Sequence, residues 1–157
     1  MTEQAQPSFS IEKIYVKDLS LEIPHAPKIF LELENTKLNV DLSTDGRQVD
    51  ENIYEVTLTA NVSATVPDGR TVFLVEAAQS GIFLIRNVPE TELEPLMMVG
   101  CANILFPYAR ETVSTTLTRA GFQPVQLQPM NFEALYQARK QQEQQEQAAA
   151  PAAAQEN

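Results

Sequence analysis

The feature that most constrains this chain is a strict alternation sustained over twelve residues: Tyr54, Val56, Leu58, Ala60, Val62 and Ala64 interleave with Glu55, Thr57, Thr59, Asn61, Ser63 and Thr65. A period of two sends successive side chains to opposite faces of a strand, so the segment lies in a sheet with one buried and one wet face. Wetness on one side is the mark of an antiparallel sheet. Pro67-Asp68-Gly69 then supplies hairpin turn chemistry, and the chain returns as Thr71 to Arg86. In the returning strand Phe73, Val75 and Ala77 share one face, while Val72, Leu74 and Glu76 share the other. Leu74 is thus an apolar residue among outward polar ones. Gly81 reads as a bulge, since an apolar run resumes at Ile82.

Two further strands precede this pair. Phe9 to Ile23 alternates Leu19, Leu21 and Ile23 with Asp18, Ser20 and Glu22, so its acidic face looks outward. Pro24 and Pro27 stop it and predict a long extended crossing loop over 24–36. Lys37 to Leu42 alternates Leu38, Val40 and Leu42 with Lys37, Asn39 and Asp41, and Asp45-Gly46 predicts a turn.

Helices follow the strands. Pro89 opens a short one with Glu90, Glu92 and Glu94, which Pro95 bends or ends. From Ala102 onward Ala102, Phe106, Ala109, Val113, Leu117 and Ala120 recur at steps of three and four, one stripe down a helix. Asn103 is placed as its N-cap, Pro107 in or just after the first turn, and Gly121 as the C′ residue. The small residues in this stripe suit either packing on the chain's own sheet or close approach of a second subunit. Pro124 and Pro129 bracket a connector, and Asn131 caps a last helix with Phe132, Leu135, Tyr136 and Arg139 near one face. From Gln141 the chain is Gln, Glu and Ala, without large apolar residues. The expected organisation is a disordered N-terminus over 1–8, one domain over 9–140 and a disordered tail over 141–157. The fold class is α+β, a four-stranded antiparallel sheet covered on one face by helices.

Charge and chemistry narrow the function. With 157 residues, 43% of them hydrophobic, and a net charge of −10, the chain can build one core and repels polyanions. Nucleic acid and anionic lipid are excluded as favoured partners; a cationic protein is favoured. The N-terminal residues show no secretory signal and no stretch predicts a membrane span, so the expected location is the cytoplasm. One cysteine, Cys101, and one histidine, His25, stand far apart in sequence, and the five glycines are scattered. No metal site, phosphate loop, cofactor site or catalytic set is predicted. What remains is surface: acidic Asp18, Glu22 and Glu76 with Leu74 beside them, and apolar residues near the crossing loop.

One resemblance extends this reading. The run Cys101-Ala-Asn-Ile-Leu-Phe-Pro-Tyr-Ala-Arg-Glu111, followed by Pro129-Met-Asn-Phe-Glu-Ala-Leu-Tyr136, closely resembles the SecB protein-export chaperones of bacteria. So do Ile14-Tyr15-Val16-Lys17-Asp18, Pro24-His25-Ala26-Pro27, Tyr54-Glu55-Val56 and Phe73 to Phe83, a likeness spanning roughly residues 9 to 137. The resemblance implies a homotetramer, built as a dimer of dimers. It implies a chaperone that is not an enzyme, binds unfolded secretory preproteins and delivers them to the SecA ATPase. It places SecA binding on Asp18, Glu22, Leu74 and Glu76, with the zinc-bearing basic tail of the motor as the cationic partner. It suggests Leu38, Val40, Leu42, Phe132, Leu135 and Tyr136 for client peptides, and turns Phe106, Ala109, Val113 and Leu117 toward an oligomer interface. The rival readings are a SecB-like chaperone serving a toxin–antitoxin pair and, from another class, a small enzyme using Cys101.

Overall fold

The order of elements in the computed structural model, which describes residues 4–150, is four long strands and then helices. Strands β1 (Ser8–Glu22), β2 (Lys37–Asp50), β3 (Ile53–Thr65) and β4 (Thr71–Arg86) are followed by helices α1 (Glu90–Pro95), α2 (Ala102–Arg119) and α3 (Phe132–Ala149). All strand pairings are antiparallel and the sheet order is β1-β4-β3-β2. The segment 24–36 therefore carries the chain from one edge of the sheet to the other. It is not simply extended: Lys28–Leu31 form a 3₁₀ turn that sinks Ile29 wholly into the core. Phe30 stacks on Phe122 at 5.0 Å, and Phe122 tilts against Phe73 at the same spacing. An aromatic cluster thus fixes the crossover.

The alternation in β3 places its apolar set against the helices, with Val56, Leu58, Ala60, Val62 and Ala64 almost wholly buried. Together with Phe83, Leu105, Leu117 and Val113 they form one core, each large side chain contributing about 1.5–3 kcal/mol of burial.

Three expectations change. Asp45-Gly46 is not a turn, for β2 runs straight through it and turns only at Glu51-Asn52, where Asn52 takes φ 59°. Gly46 serves approach instead: a Cβ there would stand 3.1 Å from Met97 Sδ and from Met98 Cε. Gly81 is not the bulged residue either. The extra residues lie across from it on β1, at Glu12 and Lys17, where the register with β4 shifts. A Cβ on Gly81 would fall 2.7 Å from the Phe83 ring and 3.2 Å from Leu105 Cδ2, so glycine is needed for helix-to-sheet packing. Finally, Asn103 does not cap α2, because a π-helical stretch, Leu96–Cys101, joins it to α1 through Pro95 without interruption. Gly121 does end it, at φ +91°, with Phe122 N–H donating to Leu117 O and Gly121 N–H to Thr118 O in a Schellman cap.

The small-residue stripe of α2 needs correction too. Phe106, Ala109, Val113 and Leu117 are buried within the chain itself, the last three completely, under α2 on the helical side of β3 and β4. Nothing of these three is left for a second subunit to touch. At the other end, α3 continues helically through the stretch expected to be a tail, as far as Ala149, while staying almost entirely exposed. Residues 1–3 and 151–157, the outer parts of the two expected disordered ends, lie outside the described residues.

Candidate functional site

Helices cover only one side of the sheet, so the two faces offer different surfaces. On the uncovered face the register sets Glu22 opposite Leu74 and Ser20 opposite Glu76, with Asp18 opposite Ala78. The four residues expected to form a docking surface therefore share one face of two adjacent strands. Leu74 is 41% exposed there. Asn61 and Ser63 on β3 continue the rows, and β2 adds Asp41 and Asn39, enclosing a shallow hollow of about 380 Å³ between Glu22, Leu74, Glu76 and Asp41. Asp41 was legible only as the polar side of its strand; what brings it to the acidic face is the pairing of β2 with β3.

Next along the same face, a hollow of about 400 Å³ holds Asp18 together with Lys17, Asp45, Arg47 and Glu55. Glu55 is only 8% exposed. It accepts hydrogen bonds from Lys17 Nζ at 2.7 Å, from Arg47 Nε at 3.0 Å and from the Tyr15 hydroxyl. These donors, Lys17 foremost and Tyr15 next, hold its carboxyl down at about 2 against the opposing effect of burial. Burial, and then the Glu55 carboxylate, push the Tyr15 phenol up. Sequence reading had left Glu55 among the wet residues of β3. Its strict alternation gave the face, and nothing local signalled the two cations that converge there from β1 and β2.

On the helical side, α3 packs on the π-helical stretch and reaches β2 near Thr44. Leu42, Phe132, Leu135 and Tyr136 meet there around a groove of about 450 Å³ that also includes Met98 and Arg139. Arg139 Nη1 reaches the Thr44 carbonyl at 3.2 Å, and Lys140 pairs with Glu94 at 2.9 Å, so α3 is tied to both β2 and α1. Phe132 is the anchor, 3% exposed and edge-on to Phe106 at 5.7 Å, while Leu135 stays 41% exposed. Leu38 and Val40 are not in this groove; they lie further along β2, 42% and 41% exposed. Met98, which sequence reading missed, enters from the π-helical stretch.

A third apolar surface runs down β1, the other edge. Phe9, Ile11, Val16, Leu19 and Leu21 are each between 36% and 47% exposed, and Leu19 and Leu21 border a gap of about 410 Å³ against Thr112, Thr115 and Thr116 of α2.

Cys101 is wholly buried, and burial pushes its thiol up to about 12, far from a reactive thiolate. Among the described residues, no group of three His, Cys, Asp or Glu side chains is placed to hold a metal ion, and no helix is long and apolar enough to cross a membrane.

Comparison with known proteins decides what this scaffold is. A family model described as "Preprotein translocase subunit SecB" matches residues 2–143. The protein-export protein SecB of Azoarcus sp. (strain BH72) is 66% identical over 140 residues, covering 89% of this chain and 93% of that protein. The chain belongs to the SecB family. A second SecB, that of Aromatoleum aromaticum, is also 66% identical, over 143 residues, covering 89% of this chain and 90% of its own. The SecB fold is further matched by a Mycobacterium tuberculosis SecB-like chaperone in complex with a peptide from the HigA1 antitoxin. Its TM-score is 0.66 at 16% identity, over 78% of this chain and 90% of that one. So distant a likeness speaks for the fold alone, whereas the relatives bearing the export name match at four times the identity. The toxin–antitoxin alternative is not favoured.

Proposed function

We propose that this SecB-family chain is a cytoplasmic holdase that binds unfolded secretory preproteins and delivers them to the SecA motor. The observation carrying this is the 66% identity to protein-export SecB over nearly the whole chain. The two-sided sheet gives the reading its physical form. The groove between β2 and α3 takes apolar segments of an unfolded client, with Leu42, Leu135 and Tyr136 as contacts and Leu38 and Val40 extending the surface along β2. Each apolar side chain captured contributes about 1–3 kcal/mol, and several grooves acting on one flexible chain add avidity that a folded client cannot obtain. No reaction and no cofactor is assigned to the chain.

The acidic face, with Asp18, Glu22, Leu74 and Glu76, is the docking surface for the basic tail of SecA. Attraction across a surface of this charge raises the encounter rate and fades with salt. Assembly as a homotetramer, a dimer of dimers, supplies the several grooves. With the α2 stripe buried, we assign the subunit contacts to the apolar row of β1 and the threonine-lined side of α2.

Two sets of variants test this together. Asp18→Lys with Glu76→Lys is expected to weaken binding of purified SecA while leaving intact the delay that the chaperone imposes on refolding of an export precursor. Leu42→Asp with Leu135→Asp is expected to do the reverse. If both pairs impaired both activities equally, the assignment of separate faces would be wrong.

A further inference from the structure

The docking face carries its own cations, and the structure shows what is done with them. Lys17 is the extra residue of the second β1 bulge, so it stands beside Asp18 on the uncovered face instead of alternating away from it. Arg47 and Asp45, two apart on β2, share that face as well. Each cation thus has an acidic neighbour within reach of its side chain. Neither takes it: both Lys17 and Arg47 turn to one oxygen of Glu55, at 2.7 and 3.0 Å, and among the described residues Asp18 and Asp45 form no ion pair. The choice follows from surroundings. Glu55 is largely withdrawn from water and also accepts the Tyr15 hydroxyl, whereas an exposed aspartate offers a pair worth little against hydration.

We infer that Glu55 acts as a sequestering residue that keeps the docking face anionic: by holding Lys17 and Arg47 in its own corner, it prevents them from neutralising Asp18 and Asp45. The partner served is one that presents clustered lysine or arginine. Without the Glu55 carboxylate, Lys17 is left beside Asp18 in the same hollow, and a basic partner must displace that lysine before it can bind. Glu55 is a positioning residue here, acting on the surface through Lys17 and Arg47 without touching the partner. This inference rests on the docking reading above.

The test uses the full-length chaperone and purified SecA, titrated at low and at physiological ionic strength. Glu55→Gln is expected to weaken binding about fivefold to tenfold at low salt and to flatten its salt dependence, with client capture unchanged. Adding Lys17→Met to Glu55→Gln is expected to restore affinity to within about twofold, although it restores no contact to the fold. A merely structural role for Glu55 would not be rescued in this way. Glu146→Gln, which removes the same charge from the exposed end of α3, is expected to leave binding within about twofold. Wild-type affinity in Glu55→Gln, failure of Lys17→Met to rescue it, or equal weakening by Glu146→Gln would each overturn the inference. An unchanged affinity in Asp18→Asn with Glu76→Gln would instead remove the docking reading itself, and this inference with it.

Discussion

Two variants, one on the exposed row of β1 and one on the buried face of α2, separate assembly from folding. Leu19 and Leu21 are 44% and 36% exposed in the single chain, so replacing both with glutamate leaves most monomer packing in place. If β1 is a subunit contact, the remaining exposure is what association buries. At about 1.5–3 kcal/mol for a whole leucine, the two residues contribute about 1–2 kcal/mol per chain, and about 2–4 kcal/mol for a symmetric pair of chains. Desolvating the new carboxylates adds further cost. Dissociation should therefore strengthen by about thirtyfold to a thousandfold or more, enough to turn a tetramer into smaller species at dilute concentrations. Ala109→Phe should behave in the opposite way. Ala109 has no exposed surface, and a ring forced under α2 should destabilise the monomer by about 3 kcal/mol or more. Sedimentation velocity over a dilution series reads the first effect, and urea unfolding at fixed concentration reads the second. The reasoning is refuted if Leu19→Glu with Leu21→Glu sediments as wild type at every concentration, or if Ala109→Phe dissociates without losing stability.

Glu55 gives a pH prediction. Its carboxyl titrates near 2 in the fold against 4.5 ordinarily, so the stabilisation is present above 4.5 and is lost as pH falls from there toward 2. The full shift corresponds to about 3 kcal/mol, and screening by water around the half-exposed cations reduces this to about 1–2 kcal/mol. The stability gap between wild type and Glu55→Gln, measured by urea unfolding, should shrink from pH about 6 to pH about 2.5; an equal gap at both would count against the network. Gly81→Ala should cost about 1–3 kcal/mol because its methyl meets the Phe83 ring and Leu105, and a neutral effect would show that the ring yields freely. Cys101 should resist alkylation by iodoacetamide in the native protein and react on unfolding, while rapid native labelling would contradict its burial.

Residues that obey a simple period could be read without the structure. The alternation in β3 gave both its existence and its buried face, and Leu74 was recognisable as an apolar residue turned outward because Glu76 shared its parity. Departures arose where a distant contact overrides a local signal. Asp45-Gly46 carries turn chemistry, yet Gly46 is there because Met97 and Met98 lie on β2, a fact that no window around residue 46 contains. The stripe of α2 was correctly a buried face, but a helical stripe does not say whose surface covers it. Pro95 does not end the helical run, which continues through it into the π-helical stretch Leu96–Cys101. The groove was half legible: α3 and Leu42 came from periodicity, while Met98 and the separation of Leu38 and Val40 from the groove depend on where α3 comes to rest.

The sheet is only one residue thick between its two working surfaces, and a strand sends neighbours to opposite sides. On β2, Asp41 faces the acidic hollow and Leu42, the next residue, faces the groove under α3. The proposed client and motor surfaces thus lie back to back but meet at the strand edge, since Asp45 and Thr59 border both the groove and the hollow beside Asp18, and Val40 borders the hollow at Leu74. A shift of β2 by one residue against β3 would exchange the faces of Asp41 and Leu42, so the proposed separation of docking and client surfaces depends on the register of this single edge strand.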